Sequence, residues 1–163
     1  MYFKSLLMLV IFVPSCSATV LRGPVCATAN FTITSERYGN VHRYGIYEGI
    51  DLLEFSQLPP AYFCFTANLA LLEIETRKCI GAITSTDLQL ILSNNCEEPW
   101  IYNADKEEVV DINIGYCFSS WNYLEPPPEV QFVPGLSPCA DWNHMILNPN
   151  PTQKAKKGIA TLT

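Results

Sequence analysis

The feature that most constrains the fold of this chain is an internal repeat. Residues 62–80 align with residues 100–118 without a gap, and Cys79 then meets Cys117. Each repeated unit contains short strands with one apolar face, which a single unit cannot bury by itself. We therefore expect three units of about 40 residues to pack around one shared core.

Large aromatic residues recur at the period of this repeat. The alignment places Tyr62 on Trp100, and a second, slightly longer shift places Trp100 on Trp142 and residues 88–91 on residues 130–133. Because aromatic side chains of this size bury readily, Tyr62, Trp100 and Trp142 are predicted to anchor the shared core.

The apolar segments of the chain are short and extended rather than helical. Turn-forming residues separate them, and the 12 prolines of the sequence disfavour long helices. The pattern predicts an all-β fold, either a barrel or a sandwich. The predicted strands cover residues 46–55, 69–75, 88–92, 109–114 and 130–133, although the composition of residues 69–75 would also suit a helical turn.

The N-terminus has the anatomy of a secretory signal peptide. An apolar run over residues 5–14 follows one positive charge, and small residues continue to Ala18. The run is too short to form a stable membrane span. We predict a signal peptide over residues 1–18, a single domain over residues 19–163, and an extracellular location for that domain.

Cleavage after Ala18 would remove one of the seven cysteines, Cys16. As an alternative, residues 13–16 resemble a bacterial lipobox, in which Cys16 would be retained and lipidated. An even number of cysteines in a short secreted domain indicates disulfides, although six cysteines allow fifteen pairings. The six that remain are Cys26, Cys64, Cys79, Cys96, Cys117 and Cys139.

The same composition argues against several other kinds of site. The sequence has no CxxC pair, and His42 and His144 are isolated, so we predict no metal site and no cofactor. A net charge of −6 makes nucleic acid an unsuitable partner. Asn30 begins an Asn-Phe-Thr sequon and is predicted to be N-glycosylated.

The segment that begins at Cys79 resembles one repeat of a ricin B-type lectin. It contains a Cys-Ile-Gly step at residues 79–81, an apolar strand at residues 88–92, and a second cysteine at the start of residues 96–100, which read Cys-Glu-Glu-Pro-Trp. The Cys-Ile-Gly step is still more similar to the cysteine-rich domain of the mannose-receptor family. Glu98 stands where the Gln-x-Trp element of the ricin B-type family has its glutamine.

This resemblance implies an all-β fold of the β-trefoil type, with three repeats stabilised by disulfides; a β-sandwich is the alternative. It also implies carbohydrate binding. The disulfides that it implies join Cys79 with Cys96, Cys117 with Cys139, and Cys26 with Cys64.

The usual sugar-binding residues of that family are missing. The family places a carboxylate two residues after the first cysteine of a repeat, and this sequence has Gly81 and Ser119 there. The family's aromatic residue, shortly before the second cysteine, is replaced by Asn94 and Ser137. The standard galactose site is therefore not expected.

A short polar loop supplies another candidate site for a ligand. Trp121 and Tyr123 could stack on a sugar ring while Asn122 reads its hydroxyl groups, a combination that also suits protein partners. The alternative is that Trp121 covers the mouth of the barrel.

No motif of an enzyme is present, and we predict a protein without catalytic residues. The adjacent carboxylates at residues 97–98 and 107–108 are interpreted as solvated turns. Three classes of function stay open: a secreted lectin-like module that binds a glycan, a secreted factor that binds an extracellular protein, and a purely structural module. The sequence gives no prediction of the oligomeric state.

Overall fold

The computed structural model of this chain describes residues 23–83, 88–121, 130, 132–140 and 144–150. These residues form β-strands and no helix, so the all-β part of the fold prediction is confirmed. The strands are β1 Phe31–Ser35, β2 Gly39–Tyr47, β3 Ile50–Ser56, β4 Phe63–Phe65, β5 Leu71–Glu73, β6 Cys79–Ala82, β7 Leu90–Ser93, β8 Trp100–Asn103, β9 Glu108–Asp111, β10 Tyr116–Trp121, β11 Val133–Pro138 and β12 Ile146–Pro149.

None of the described residues belongs to an apolar helix that could cross a membrane. The predicted signal peptide over residues 1–18 and Cys16 lie outside the described residues.

Seven strands close into an antiparallel barrel in the order β1-β2-β3-β7-β6-β5-β4, because β1 pairs with both β2 and β4. β12 pairs with β1 as an eighth strand of the same sheet. The four strands from β8 to β11 form a second sheet in the order β11-β10-β9-β8. A sheet that closes on itself belongs to a barrel and differs from the two-sheet sandwich that was the alternative.

Backbone hydrogen bonds join the second sheet to the barrel. The N–H of Trp100, at the start of β8, donates to the carbonyl of Leu69 beside β5 (3.0 Å). The N–H of Met145, beside β12, donates to the carbonyl of Glu107 beside β9 (2.7 Å). The start of β8 therefore lies beside the segment before β5, and the segment before β12 lies beside the segment before β9.

The predicted strand over residues 46–55 is wrong as a single strand. A short turn at Glu48 and Gly49 divides it into β2 and β3. Both turn residues have positive φ, 50° and 84°, which is the conformation that matches the twist of a tight antiparallel hairpin. The sequence hid this turn because glutamate is an unusual residue at its first position.

Three turns have the same design and recur at the period of the sequence repeat. The last residues of β1, β5 and β9 are Ser35, Glu73 and Asp111, and a side-chain oxygen of each accepts a hydrogen bond from a backbone N–H two residues later, at 3.3, 3.0 and 2.7 Å. In each turn the fourth residue after this cap has positive φ: Gly39 at 94°, Arg77 at 62° and Gly115 at 69°. The repeat in the sequence is therefore also a repeat of turn geometry.

One large core contains apolar side chains from both sheets. Trp100 is fully buried, and its ring lies 6.1 Å from that of Phe118. The fully buried members of this core also include Ile33, Val41, Leu53, Phe63, Leu71, Ile80, Leu90, Val109, Leu136 and Met145.

The prediction that Tyr62 anchors the core is wrong, since this side chain is 41% exposed. Phe63 is fully buried instead, and it pairs with Glu73 as Trp100 pairs with Asp111. The hairpin of β4 and β5 is one residue shorter than that of β8 and β9. A gap-free alignment therefore matched Trp100 with the residue before its structural counterpart. Trp142 lies outside the described residues.

The six cysteines form three disulfides, which are the three pairs that the resemblance implied. Cys79–Cys96 connects β6 to the chain after β7, and Cys117–Cys139 connects β10 to the chain after β11. Cys26–Cys64 attaches the segment before β1 to β4.

Candidate functional site

The strongest candidate site is a cleft between β2, the loop before β4 and the turn after β5, with a volume of about 370 Å³. We call it the Tyr62 cleft. Backbone contacts hold its walls together: the Ala61 N–H donates to the Val41 carbonyl (3.0 Å), and the Ile74 N–H donates to the Tyr62 carbonyl (2.9 Å). Its lining residues are His42, Arg43, Pro59, Pro60, Ala61, Tyr62, Glu73, Ile74 and Glu75.

The cation of this cleft is held in a fixed orientation. Nε and Nη2 of Arg43 donate to the two carboxylate oxygens of Asp51 at 2.9 and 3.2 Å. Nζ of Lys78 donates to the same carboxylate at 2.8 Å. Only 4% of the Asp51 side chain is exposed, against 34% for Arg43. Asp51 therefore engages the edge of the guanidinium group that carries Nε and Nη2.

The ionic states of this pair support that arrangement. Burial alone would raise the pKa of the Asp51 carboxyl, but the hydrogen bonds from Arg43 and Lys78 outweigh it and hold the pKa below its ordinary value. The hydrogen bond to Asp51 raises the pKa of the Arg43 guanidinium above its ordinary value. Both groups are therefore charged across the whole physiological range of pH.

Some of the remaining polar groups in the cleft already form hydrogen bonds within the fold, and others are exposed. The Glu73 carboxylate caps the turn after β5, where it accepts hydrogen bonds from the Glu75 and Thr76 N–H groups. His42 turns its Nδ1 towards the Pro59 carbonyl (3.0 Å), which leaves Nε2 on its other side. Glu75 is exposed, and 41% of Tyr62 is exposed. The cleft thus offers an aromatic ring, a cation, an imidazole nitrogen and a carboxylate to a bound molecule.

In the second four strands, β5 to β8, a side chain fills the place that corresponds to the Tyr62 cleft. There Glu98 extends beside β6, and its Oε2 accepts a hydrogen bond from the Ala82 N–H (3.0 Å). A Cβ atom on Gly81 would lie 2.6 Å from the same oxygen. Gly81 has no side chain to fill this space, and the carboxyl group that fills it comes from the loop before β8.

Burial raises the pKa of Glu98 to about 8, with a further contribution from the hydrogen bond to Asp111 and from the charge of Asp111, while the Ala82 N–H opposes the shift. The interpretation of Glu98 as a solvated carboxylate is therefore wrong. Its neighbour Glu97 is exposed.

The predicted loop site is only partly described. The backbone of Trp121 ends β10 and pairs with Val133 of β11. Asn122 and Tyr123 lie outside the described residues. Asn30, the predicted glycosylation site, is half-buried before β1, and its carbonyl accepts a hydrogen bond from the Asn150 N–H (2.9 Å).

Sequence reasoning did not identify His42, Arg43, Tyr62 or Glu75 as site residues. Arg43 meets Asp51 because β2 and β3 pair across the turn at Glu48, and the sequence contains no clear signal of that turn. No protein-family model matches the chain, and no curated protein shows significant similarity to it.

Proposed function

We propose that this chain is a secreted, non-catalytic β-trefoil module that binds carbohydrate in the Tyr62 cleft. The observation that carries this proposal is the arrangement in the cleft itself. An exposed aromatic ring, the fixed guanidinium of Arg43 and the exposed carboxylate of Glu75 surround a cavity of about 370 Å³.

The recurrence of structural features supports a trefoil. The strands divide into three units of four, and the first strand of each unit ends in a capped turn of the kind formed by Ser35, Glu73 and Asp111. The third strands of the units meet one another: β3 pairs with β7, and the Leu136 N–H of β11 donates to the Leu88 carbonyl beside β7 (2.8 Å). A threefold arrangement of hairpins is the defining feature of this fold.

Disulfides support secretion. All six cysteines of the described residues are paired, and disulfides persist in oxidising compartments but are rare in the cytosol. The predicted signal peptide over residues 1–18 agrees with this location.

The groups of the cleft match the chemistry of a sugar. A pyranose ring has an apolar face that can lie on Tyr62, and hydroxyl groups that can donate to Glu75 and accept from Arg43. Because Asp51 fixes Arg43 before a ligand arrives, little side-chain entropy is lost on binding. The volume is near the lower end of the range for small-molecule sites, which suits one or two sugar rings.

A glycan array that includes neutral, amino, uronic and sulfated sugars tests this proposal, followed by titration calorimetry with the sugars that bind. We expect Tyr62→Ala to weaken binding by about tenfold, since an aromatic contact is worth roughly 1.5 kcal/mol. Glu75→Gln should also weaken it. Tyr47→Ala is the matched control, because Tyr47 lies in β2 but does not line the cleft.

If Tyr62→Ala bound the glycan as the wild type does, the binding site would lie outside this cleft. The same would follow if Tyr47→Ala weakened binding as much as Tyr62→Ala does. Absence of binding to every glycan would overturn the function in favour of a module that binds protein or is purely structural.

A further inference from the structure

A second concavity lies at the open end of the hairpin formed by β2 and β3, where β2 begins and β3 ends. It has a volume of about 320 Å³, and we call it the hairpin cavity. It provides aromatic rings, a guanidinium group, a carboxylate and an amide, so it shares an aromatic ring, a cation and a carboxylate with the Tyr62 cleft. The residues that supply these groups are Arg37, Tyr38, Glu54, Gln57 and Phe132.

The fold already holds Tyr38 in place in the hairpin cavity. Its ring lies 4.9 Å from the ring of Phe132 and 5.6 Å from the ring of Phe55. The guanidinium group of Arg37 lies over the Tyr38 ring, 5.3 Å from its centroid. The backbone N–H groups of Arg37 and Tyr38 both donate to Oγ of Ser35, the cap of the turn after β1. Because these groups are ordered in advance, little side-chain entropy is lost when a ligand fills the cavity.

The hairpin cavity and the Tyr62 cleft are connected across the hairpin. His42 lines the cleft, and its register partner on β3 is Glu54, which lines the cavity. Directly opposed residues of an antiparallel pair point to the same face of the sheet, so these two side chains lie on one surface. The loop after β3 also contacts both concavities: Gln57 borders the cavity, and residues 59–60 border the cleft.

The part of this loop between the two concavities is attached to β2. The Leu58 carbonyl accepts a hydrogen bond from Nδ2 of Asn40 (3.1 Å), and the Pro59 carbonyl lies 3.0 Å from Nδ1 of His42. The Leu58 side chain is 52% exposed. It therefore offers an apolar contact to a molecule that extends from one concavity to the other.

From this arrangement we infer that the ligand is a neutral oligosaccharide longer than two sugar rings. It occupies the Tyr62 cleft and the hairpin cavity together and crosses Leu58 between them. The inference rests on the proposed function, because it names the length and the charge of the glycan that this surface binds. Each concavity is near the lower end of the volume range for small-molecule sites, so a longer chain needs both of them.

The charges of the two concavities favour a neutral chain. Three carboxylates and two guanidinium groups line them, and the guanidinium group of Arg43 is already paired with Asp51. The whole protein also carries a net charge of −6. A sulfated or uronic acid polymer would therefore be repelled, whereas the hydroxyl groups of a neutral sugar can both donate to carboxylates and accept from Arg37 or Gln57.

Titration calorimetry with chito-, cello- and manno-oligosaccharides, from the monosaccharide to the hexasaccharide, tests this inference. We expect the affinity of the wild type to rise by about tenfold once the chain exceeds two rings, since the hairpin cavity adds aromatic and polar contacts. Arg37→Ala and Gln57→Ala should abolish this rise and leave the affinity for the disaccharide unchanged, which also shows that both variants are folded. Tyr62→Ala should weaken binding at every length.

Glu36→Ala is the matched control, because Glu36 is exposed in the same turn as Arg37 and lines neither concavity. It should bind every length as the wild type does. If the disaccharide bound in the Tyr62 cleft as tightly as the longer chains, the inference would be overturned and the proposed function would stand. A rise that persists in Arg37→Ala and Gln57→Ala, or tighter binding of sulfated chains of equal length, would overturn it in the same way.

A protein that bound none of the three series would also overturn the inference. The glycan array then decides the proposed function separately: binding to another sugar that Tyr62→Ala weakens would retain it, and absence of binding to every glycan would remove it as well.

Discussion

The side chains of Glu98 and Asp111 meet carboxyl to carboxyl, and the hydrogen bond between them requires a proton on one of the two. Asp111 is 1% exposed, and its Oδ1 accepts a hydrogen bond from the Asn113 N–H at 2.7 Å as the cap of the turn after β9. Burial, with the hydrogen bond to Asp111 and its charge, raises the pKa of Glu98 to about 8, so Glu98 holds this proton at neutral pH. A protonated glutamate offers one donor and one acceptor, as a glutamine side chain does.

The protonation of Glu98 makes the stability of the fold depend on pH. Its pKa is raised from 4.5 to about 8, so the folded state binds this proton more tightly than the unfolded chain does. The stabilisation is fully present below about pH 4.5 and is lost as the pH rises through about 8. Thermal unfolding should show the midpoint of the wild type falling across this window.

Glu98→Gln should remove that dependence, because the amide keeps a donor and an acceptor but does not titrate. We expect the variant to be more stable than the wild type above pH 8 and to have a flatter profile. The exposed neighbour supplies a matched control, Glu97→Gln, which should retain the wild-type slope. Equal slopes for wild type and Glu98→Gln would place the proton elsewhere.

The sequence repeat predicted the spacing of the fold better than it predicted individual core residues. Ser35, Glu73 and Asp111 cap three equivalent turns. Because they are three different residue types, an alignment by residue identity does not match them. Tyr62 was placed in the core because one hairpin is shorter by a residue than its counterpart. A single-residue difference reverses which side chain points inwards in a strand.

The candidate site was less predictable than the fold, because it depends on contacts across strands. Arg43 and Asp51 meet only once the turn at Glu48 fixes the register of β2 and β3. Glu98 follows another glutamate in a turn, and that pattern is typical of solvated carboxylates. Its burial depends on Gly81, which lies on the preceding hairpin, where a missing side chain leaves the space.

The contact between Gly81 and Glu98 can be measured by a double-mutant cycle. Gly81→Ala would place its Cβ 2.6 Å from Oε2 of Glu98, and the hydrogen bonds to Ala82 and Asp111 restrain that carboxyl group from moving away. We expect Gly81→Ala to lower the free energy of unfolding by about 1–3 kcal/mol. In a Glu98→Ala background the same substitution should cost much less. Denaturant unfolding of the four proteins checks this, and additive costs would refute the contact.

Asp51 connects two cations and should be a sensitive position for stability. Asp51→Asn leaves Arg43 and Lys78 without their counter-charge, and we expect a loss of about 2 kcal/mol, less than for a fully buried ion pair because both cations are partly exposed. Since the pKa of Asp51 is lowered, its contribution in the wild type is present above about pH 3.8 and is lost as the pH falls below that.

Urea unfolding at neutral pH measures this loss, and Asp105→Asn is the control because Asp105 is exposed in the turn between β8 and β9. If Asp51→Asn and Asp105→Asn lowered the free energy of unfolding by the same small amount, the ion pairs of Asp51 would contribute little to stability. Arg43 would then not be held in the orientation on which the Tyr62 cleft depends.

The three equivalent turns predict unequal effects for the same substitution. Gly39, Arg77 and Gly115 occupy one position of the repeat, and Arg77 demonstrates that a side chain is accommodated there at a φ of 62°. Gly115→Ala has open space around its Cβ and should cost only the backbone strain, about 1 kcal/mol.

At Gly39 the Cβ would lie 2.5 Å from the Ser56 carbonyl oxygen, which belongs to the paired strand β3 and cannot withdraw as a flexible side chain could. Gly39→Ala should therefore cost about 2–4 kcal/mol, the strain together with the overlap. Denaturant unfolding of both variants decides the matter: equal costs would mean that β3 does not approach this turn as closely as the structure has it.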